Sequence, residues 1–242
     1  FKIEITGDGS PTIRLATPEG YGESMHNLRG ALSETLYIYQ LPIAKALEWN
    51  LPEVRFFSMG LGLGYNELLI TAHCLMKGLP HWKLVSYESV EFLRLAFSGW
   101  ITRSLPNNDL SAKLYALYDL VLSQMARELD LTNPDDLRSL LEKKLTDGDW
   151  RIEKAYRQET RPPFSSQVIL YDAFSSNSSP DLWSEQNLHL VINSAAAQAC
   201  AFSTYAATGA LKRVLAANQF VIEKTSGFGG KRQSTFAYRE PK

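Results

Sequence analysis

Between Val54 and Met76 the chain runs from an apolar segment through a glycine turn into a helical segment, an order that few folds can use. Val54 to Met59 is a short apolar run carrying two phenylalanines, and it ends at Gly60-Leu-Gly62-Leu-Gly64. Glu67 to Met76 then combines helix formers with apolar spacing. A strand that turns on glycines into a helix belongs to a parallel sheet covered by helices on both faces. The same alternation continues along the chain. Lys83 to Tyr87, Trp150 to Tyr156, Val168 to Tyr171 and Ala199 to Thr204 predict further strands, with helices from Pro180, capped by Ser179, and over Thr208 to Ala217. The last two strands, Phe220 to Lys224 and Arg232 to Tyr238, flank the short loop Ser226-Gly-Phe-Gly-Gly230, which is long enough only for an antiparallel return.

Two segments lie outside this alternation. Thr6 to Thr17, with Gly7, Gly9 and Pro11, predicts an N-terminal β-hairpin, and Leu32, Leu36, Tyr39 and Ile43 then recur at near-helical spacing before Pro52. Residues 1–52 therefore form an expected N-terminal extension. Residues 89–149 form an expected, mostly helical insertion, with Leu110, Leu114, Leu117, Tyr118, Val121 and Met125 on one face and Leu137, Leu140, Leu141 and Leu145 on another. Asn133-Pro134-Asp135-Asp136 supplies a cap, a proline at the first helical position and first-turn acids. All 242 residues are expected to form a single domain.

Composition excludes several classes of function. No apolar run approaches the roughly 20 residues of a membrane-spanning helix. Cys74 and Cys200 belong to no CxxC pair, and His26, His73, His81 and His189 form no metal-binding pattern, so neither a disulfide scaffold nor a metal enzyme is expected, and a reducing cytoplasm fits. No GxSxG elbow is present. With 25 basic and 26 acidic residues the net charge is -1, so a nucleic acid would have to be held by a local patch. One such stretch exists. Tyr205 to Lys242 carries Lys212, Arg213, Lys224, Lys231, Arg232, Arg239 and Lys242 against Glu223 and Glu240.

The glycine turn sits where an open α/β sheet binds a nucleotide, outside the carboxyl end of the first core strand. Glycine lets backbone N–H groups approach a ligand that a side chain would keep away. A dinucleotide fingerprint would place its third glycine at the position of Tyr65, whereas this G-x-G-x-G matches the turn of S-adenosylmethionine enzymes. Glu88 closes the next strand, at about the spacing of ~20 residues where an acid accepts ribose hydroxyls. The bland alternatives are a tight strand-to-helix connection and a solvated glutamate.

The most specific string is Tyr171-Asp172-Ala173-Phe174, followed by Asn177, Pro180, Asp181, Leu182 and Trp183. Together with Gly60 to Asn66, with His26-Asn-Leu-Arg-Gly-Ala-Leu-Ser-Glu34 and with Gly227-Phe-Gly-Gly-Lys-Arg232, it closely resembles the methyltransferase domain of the bacterial enzymes that make 5-methylaminomethyluridine. The resemblance implies an α/β, Rossmann-like methyltransferase fold whose mostly parallel sheet ends in an antiparallel hairpin. It implies S-adenosyl-L-methionine as cofactor and tRNA as partner, with methylation of the 5-aminomethyl group of a wobble uridine, with or without a 2-thio group. Because the chain ends at Lys242 without a second glycine fingerprint, it resembles the free-standing form and not the form fused to a flavin-dependent oxidoreductase. A separate enzyme would then supply the aminomethyl group.

The same resemblance distributes roles among residues. Asp172 would orient the amine and take its proton, and Phe174 would stack on the uracil or wall the pocket. Gly60, Gly62, Gly64, Asn66, Glu88, Ser89, Glu34 and Asp172 would hold the cofactor. Lys231, Arg232 and His26 would meet tRNA, while Trp183 reads as core. The chain departs from the usual pattern in having Ser58-Met59 where many such strands end in an acid, and in placing Gly148-Asp149 ahead of the Trp150 strand. A methyltransferase for another amine, or an RNA-binding scaffold on a lapsed methyltransferase fold, are the alternatives.

Overall fold

Apolar runs one strand long build the centre of the molecule, and their pairing sets everything else. The computed structural model describes residues 1–230 and 233–241. Three short strands come first: β1 (Lys2–Ile5), β2 (Pro11–Thr17) and β3 (Gly20–Ser24), followed by α1 (Ala31–Glu48). The alternating part comprises β4 (Val54–Met59), α2 (Tyr65–Lys77), β5 (Trp82–Tyr87), α3 (Glu91–Ile101), α4 (Asp109–Glu128), α5 (Asp135–Thr146) and β6 (Trp150–Glu153). It ends with β7 (Ser166–Tyr171), α6 (Glu185–Ala195), β8 (Ala196–Thr204), α7 (Gly209–Ala217), β9 (Val221–Thr225) and β10 (Ser234–Arg239).

The main sheet has seven strands in the order β6-β5-β4-β7-β8-β10-β9. The first five run parallel, and β10 is antiparallel to both of its neighbours, as the short loop before it requires. The winding reverses between β4 and β7, and open α/β sheets bind ligands in the crevice at such a reversal. Register then fixes the geometry. Met59 lies opposite both Tyr87 and Tyr171, so Gly60, Glu88 and Asp172 leave three adjacent strands side by side.

The two-residue period of the strands sends alternate side chains into two cores. Phe56, Leu84, Val168 and Leu170 pack with α1 to α5 on one face, and Phe57, Val85, Ile169, Tyr171 and Phe202 pack with α6 and α7 on the other. Residues 89–149 hold three helices, α3, α4 and α5, which pack on the same face as α1 and α2. At the last cap, the Asn133 side chain accepts the Asp135 N–H at 3.2 Å. Trp183 is buried, as read.

Some boundaries differ from expectation. The N-terminal strands form a three-stranded antiparallel sheet: the hairpin pairs Lys2–Ile5, ahead of the expected Thr6 to Thr17, with Pro11–Thr17, residues 6–10 are its turn, and Gly20–Ser24 adds the third strand. The helix expected from Pro180 is a 3₁₀ turn over Pro180–Trp183, and Ser179 makes no capping bond. The helix begins only at Glu185, because extended backbone at Ser184 breaks the run and its hydroxyl accepts the Asn187 N–H. β6 ends at Glu153, short of Tyr156.

The N-terminal loop also caps α1 from outside. Thr6 Oγ1 and Ser10 Oγ accept the Ala31 N–H at 3.1 Å each, and Asp8 Oδ2 accepts the Ser33 N–H at 2.9 Å. These bonds satisfy first-turn donors that Gly30, without a side chain, leaves open. Gly30 is glycine for space, since a Cβ there would lie 2.5 Å from the Asp8 carboxylate. Burial raises the Asp8 pKa, but hydrogen bonds from Ser10 and Ser33 outweigh it and hold the group far below the usual carboxylate range.

Candidate active site

Two cavities open at the carboxyl ends of β4, β5 and β7, and they share a wall. The first, about 600 Å³, runs from Gly60, Gly62 and Asn66 past Glu34 and Asp172 to the Glu23–Leu28 segment and Phe174. The second, about 350 Å³, continues past Glu88 and Ser89 to Ala155, Tyr156 and Leu182. Gly60, Glu88, Asp172, Ala173 and Phe174 line both. Each volume lies in the range of small-molecule sites.

Left-handed backbone is what the glycine turn supplies, with φ of 90° at Gly60, 51° at Gly62 and 78° at Gly64. The three do different work. A Cβ on Gly60 would meet the Asp172 carbonyl oxygen at 2.5 Å, so this glycine lets β4 and β7 close together. Gly62 faces the first cavity, and its N–H is already donated to Glu88 Oε2 at 3.0 Å. Gly64 lines neither cavity. A Cβ there would collide with the buried Phe97 ring, so its requirement is packing of α2 against α3.

Glu88 is 6% exposed and accepts N–H groups from Gly62 and, at 2.8 Å, from Val90. Burial raises its pKa, and the backbone donors of Gly62 and Val90 pull it back. Asp172 is held from behind by two donors. Tyr39 O–H donates to Oδ1 at 2.6 Å, and Asn66 Nδ2 donates to Oδ2 at 3.0 Å. Glu34 lines the first cavity and accepts the Asn27 N–H at 2.7 Å, which closes the loop before α1. His26 lines it too. Burial holds His26 down at about 4, so it is neutral at pH 7, and its Nδ1 lies 3.1 Å from Thr12 Oγ1.

Phe174 walls both cavities, and Trp183 Nε1 donates to its carbonyl at 2.6 Å. Ser89 lines only the second cavity. Lys231 and Arg232 lie outside the described residues. Of the other basic residues near the C-terminus, Arg213 pairs with Glu185 at 2.6 Å, and Arg239 donates to the carbonyls of Asn218 and Ala197.

Sequence reading missed three polar groups of the site, Tyr39, Tyr205 and Glu23, and one buried carboxyl behind it. Tyr39 belongs to an apolar helical stripe, and Tyr205, whose hydroxyl donates to the Ala173 carbonyl at 2.8 Å, follows a strand end. Glu23 lines the first cavity and accepts the Ser175 N–H at 2.7 Å, tying the small sheet to the loop after β7. The fourth is Glu67. It is 0% exposed on the first turn of α2 and accepts the Ser86 hydroxyl at 2.8 Å. A buried carboxyl thus stands near Ser58, where the strand itself carries none, and burial pushes it up to about 7 against the pull of the Ser86 hydroxyl.

The first cavity is acidic, a lining that suits a cation. Glu23, Glu34, Glu88 and Asp172 line it, with no lysine or arginine among the described lining residues. Asn66 Oδ1 is buried without a hydrogen-bond partner, an acceptor suited to an ammonium donor. S-adenosyl-L-methionine, which carries a sulfonium and an ammonium, fits that set of acceptors. Among the described residues no group of histidine, cysteine or acidic side chains could hold a metal ion, and no helix is long and apolar enough to cross a membrane.

Comparison with known proteins gives the same picture. Residues 138–240 match a family model described as S-adenosyl-L-methionine-dependent methyltransferase. The tRNA 5-methylaminomethyl-2-thiouridine biosynthesis bifunctional protein MnmC of Azoarcus sp. is 41% identical over 96% of this chain and 34% of its own length. The protein of the same name from Hydrogenovibrio crunogenus is 34% identical over 97% of this chain and 33% of its own. The chain therefore spans about a third of these relatives. The crystal structure of MNMC2 from Aquifex aeolicus shares the fold, with a TM-score of 0.66 at 21% identity, covering 100% of this chain and 72% of that one. The chain is thus similar along its length to about a third of these MnmC proteins, and residues 138–240 carry the match to S-adenosyl-L-methionine-dependent methyltransferases.

Proposed function

We propose that this chain methylates the amine of a 5-aminomethyl group on a tRNA wobble uridine, with or without the 2-thio group. The observation that carries the reading is the Asp172 carboxyl, clamped by Tyr39 and Asn66 on the wall that the two cavities share. When bound, S-adenosyl-L-methionine supplies an electrophilic methyl group. Gly60, Gly62, Asn66, Glu34 and Glu88 would hold it, with Glu88 accepting ribose hydroxyls. The second cavity, with Ser89, Ala155 and Tyr156, would take the adenine, an assignment that motif spacing alone does not provide.

The substrate side is the Glu23–Leu28 rim and Phe174. An aminomethyl group arrives largely as an ammonium, which the acidic wall attracts, and only its unprotonated form carries a nucleophilic lone pair. Asp172 orients the nitrogen and accepts its proton, which then passes to solvent. Phe174 offers a face to the flipped base, and His26, held neutral, lines the entrance. Lys231 and Arg232 are proposed tRNA contacts. The division into one domain with an extension and a helical insertion, a separate supplier of the aminomethyl group and a cytoplasmic setting belong to the same proposal. The relatives' names support the substrate, since they are called tRNA 5-methylaminomethyl-2-thiouridine biosynthesis proteins.

The test is methyl incorporation from S-adenosyl-L-methionine into tRNA prepared from a strain lacking the modification but carrying the aminomethyl group. Transfer to that tRNA and not to fully modified tRNA is expected. Cofactor binding without transfer would overturn the substrate.

A further inference from the structure

Asp172 is half-buried, yet both of its oxygens are bonded to side chains from two different helices, Tyr39 of α1 and Asn66 of α2. Tyr39 is 2% exposed and reaches Asp172, just past the carboxyl end of the central strand β7, with a 2.6 Å bond. Burial, and then the negative charge of Asp172, raise its pKa well above the ordinary tyrosine value, so it stays a neutral donor at every pH of interest. A fixed donor does two things to a carboxylate. It removes rotational freedom, aiming the remaining lone pairs, and it favours the ionised form, the form able to take a proton from an ammonium.

We infer that Tyr39 is a positioning residue for the methyl transfer, acting through Asp172 by holding its carboxylate ionised and aimed into the first cavity. The inference rests on the role proposed above for Asp172 and adds the group that sets its orientation and acidity. The anchoring of α1 gives the arrangement a rigid base. The helix carrying Tyr39 is capped by the Thr6–Ser10 loop, and its Ile38 carbonyl accepts the Ser203 hydroxyl at 2.8 Å, so the hydroxyl of Tyr39 comes from an element fixed at several points.

The experiment is a double-mutant cycle of Tyr39→Phe and Asp172→Asn, read as turnover on aminomethyl-bearing tRNA, with cofactor affinity and melting temperature measured alongside. Tyr39→Phe keeps the ring and removes only the donor. Turnover is expected to fall about 10-fold to 100-fold, the range a hydrogen bond to a charged group is worth, with cofactor affinity unchanged. The acid limb of the pH–rate profile should move to higher pH, because a carboxylate that loses a donor becomes more basic. In the Asp172→Asn background the same change should cost almost nothing. Equal losses in both backgrounds, or a loss with no shift of the profile, would overturn the inference and leave Tyr39 a structural residue. If the wild-type chain transfers no methyl group to that tRNA, the functional reading falls first, and the inference with it.

Discussion

Glu88 and Asp172 close neighbouring strands, yet their surroundings give them different work. Each Glu88 oxygen accepts one backbone N–H, from Gly62 in the glycine turn and from Val90 just before α3, and keeps a second lone pair for a ligand hydroxyl, whereas Asp172 is held by side chains. Glu88 was legible from its spacing after the glycine turn, and Asp172 from the motif Tyr171-Asp172-Ala173-Phe174 that carries the family resemblance. Tyr39 and Glu67 were not, for a physical reason. Apolar periodicity records the body of a tyrosine and not the hydroxyl at its tip, and an acid in a first helical turn reads as solvated whether or not a sheet covers it. Glu67 makes a prediction of its own. Its pKa in the folded protein is about 7 against an ordinary 4.5, so the folded chain keeps a proton that the unfolded chain releases. Stability from this group is fully present below pH 4.5 and is lost as pH rises through 7. Glu67→Gln, which cannot ionise, should flatten the fall of melting temperature over that interval and raise stability above it by on the order of 1 kcal/mol. The same pH slope in variant and wild type would place the buried charge elsewhere.

At the scale of elements, the strand–glycine–helix unit shows that one motif serves two masters. Gly62 borders the ligand cavity and Gly64 borders Phe97, although their spacing makes them look equivalent. Gly62→Ala should cost about 1 to 2 kcal/mol of left-handed strain and weaken cofactor binding. Gly64→Ala should cost more stability, because overpacking of about 1 to 3 kcal/mol against a fixed aromatic ring adds to the same strain. Thermal melts and cofactor titration of both variants check the ordering, and equal stability losses would contradict it. Strand positions were legible because each core strand is a short apolar run. The start of α6 was not, since Ser179-Pro180 and Ser184 both carry helix-start chemistry, and the extended backbone at Ser184 decides between them. β3 escaped as well, because Gly-Tyr-Gly-Glu-Ser has no apolar alternation and is held by pairing with β2.

For the whole molecule, parallel strands and a closing antiparallel hairpin were readable from order alone, because short loops permit few connections, whereas the reversal of winding between β4 and β7 follows from strand pairing that element order does not fix. What order does not disclose is how charge is distributed. The net of -1 hides an acidic cavity, and the basic C-terminal stretch is partly spent inside the protein on Glu185 and on carbonyl groups. Lys231→Ala with Arg232→Ala should therefore weaken tRNA binding, reduce its salt dependence and leave cofactor affinity intact. A salt slope equal to the wild type's would move the tRNA contact elsewhere. The central claim is that Asp172 takes the proton of a substrate amine. It is tested most directly by the turnover of Asp172→Asn on tRNA bearing 5-aminomethyluridine, with S-adenosyl-L-methionine affinity measured on the same preparation. The account predicts a fall of about 100-fold to 10,000-fold in turnover with little change in affinity, partly recovered at higher pH where the amine deprotonates unaided. Near-normal turnover at pH 7, or a defect confined to cofactor binding, would contradict it.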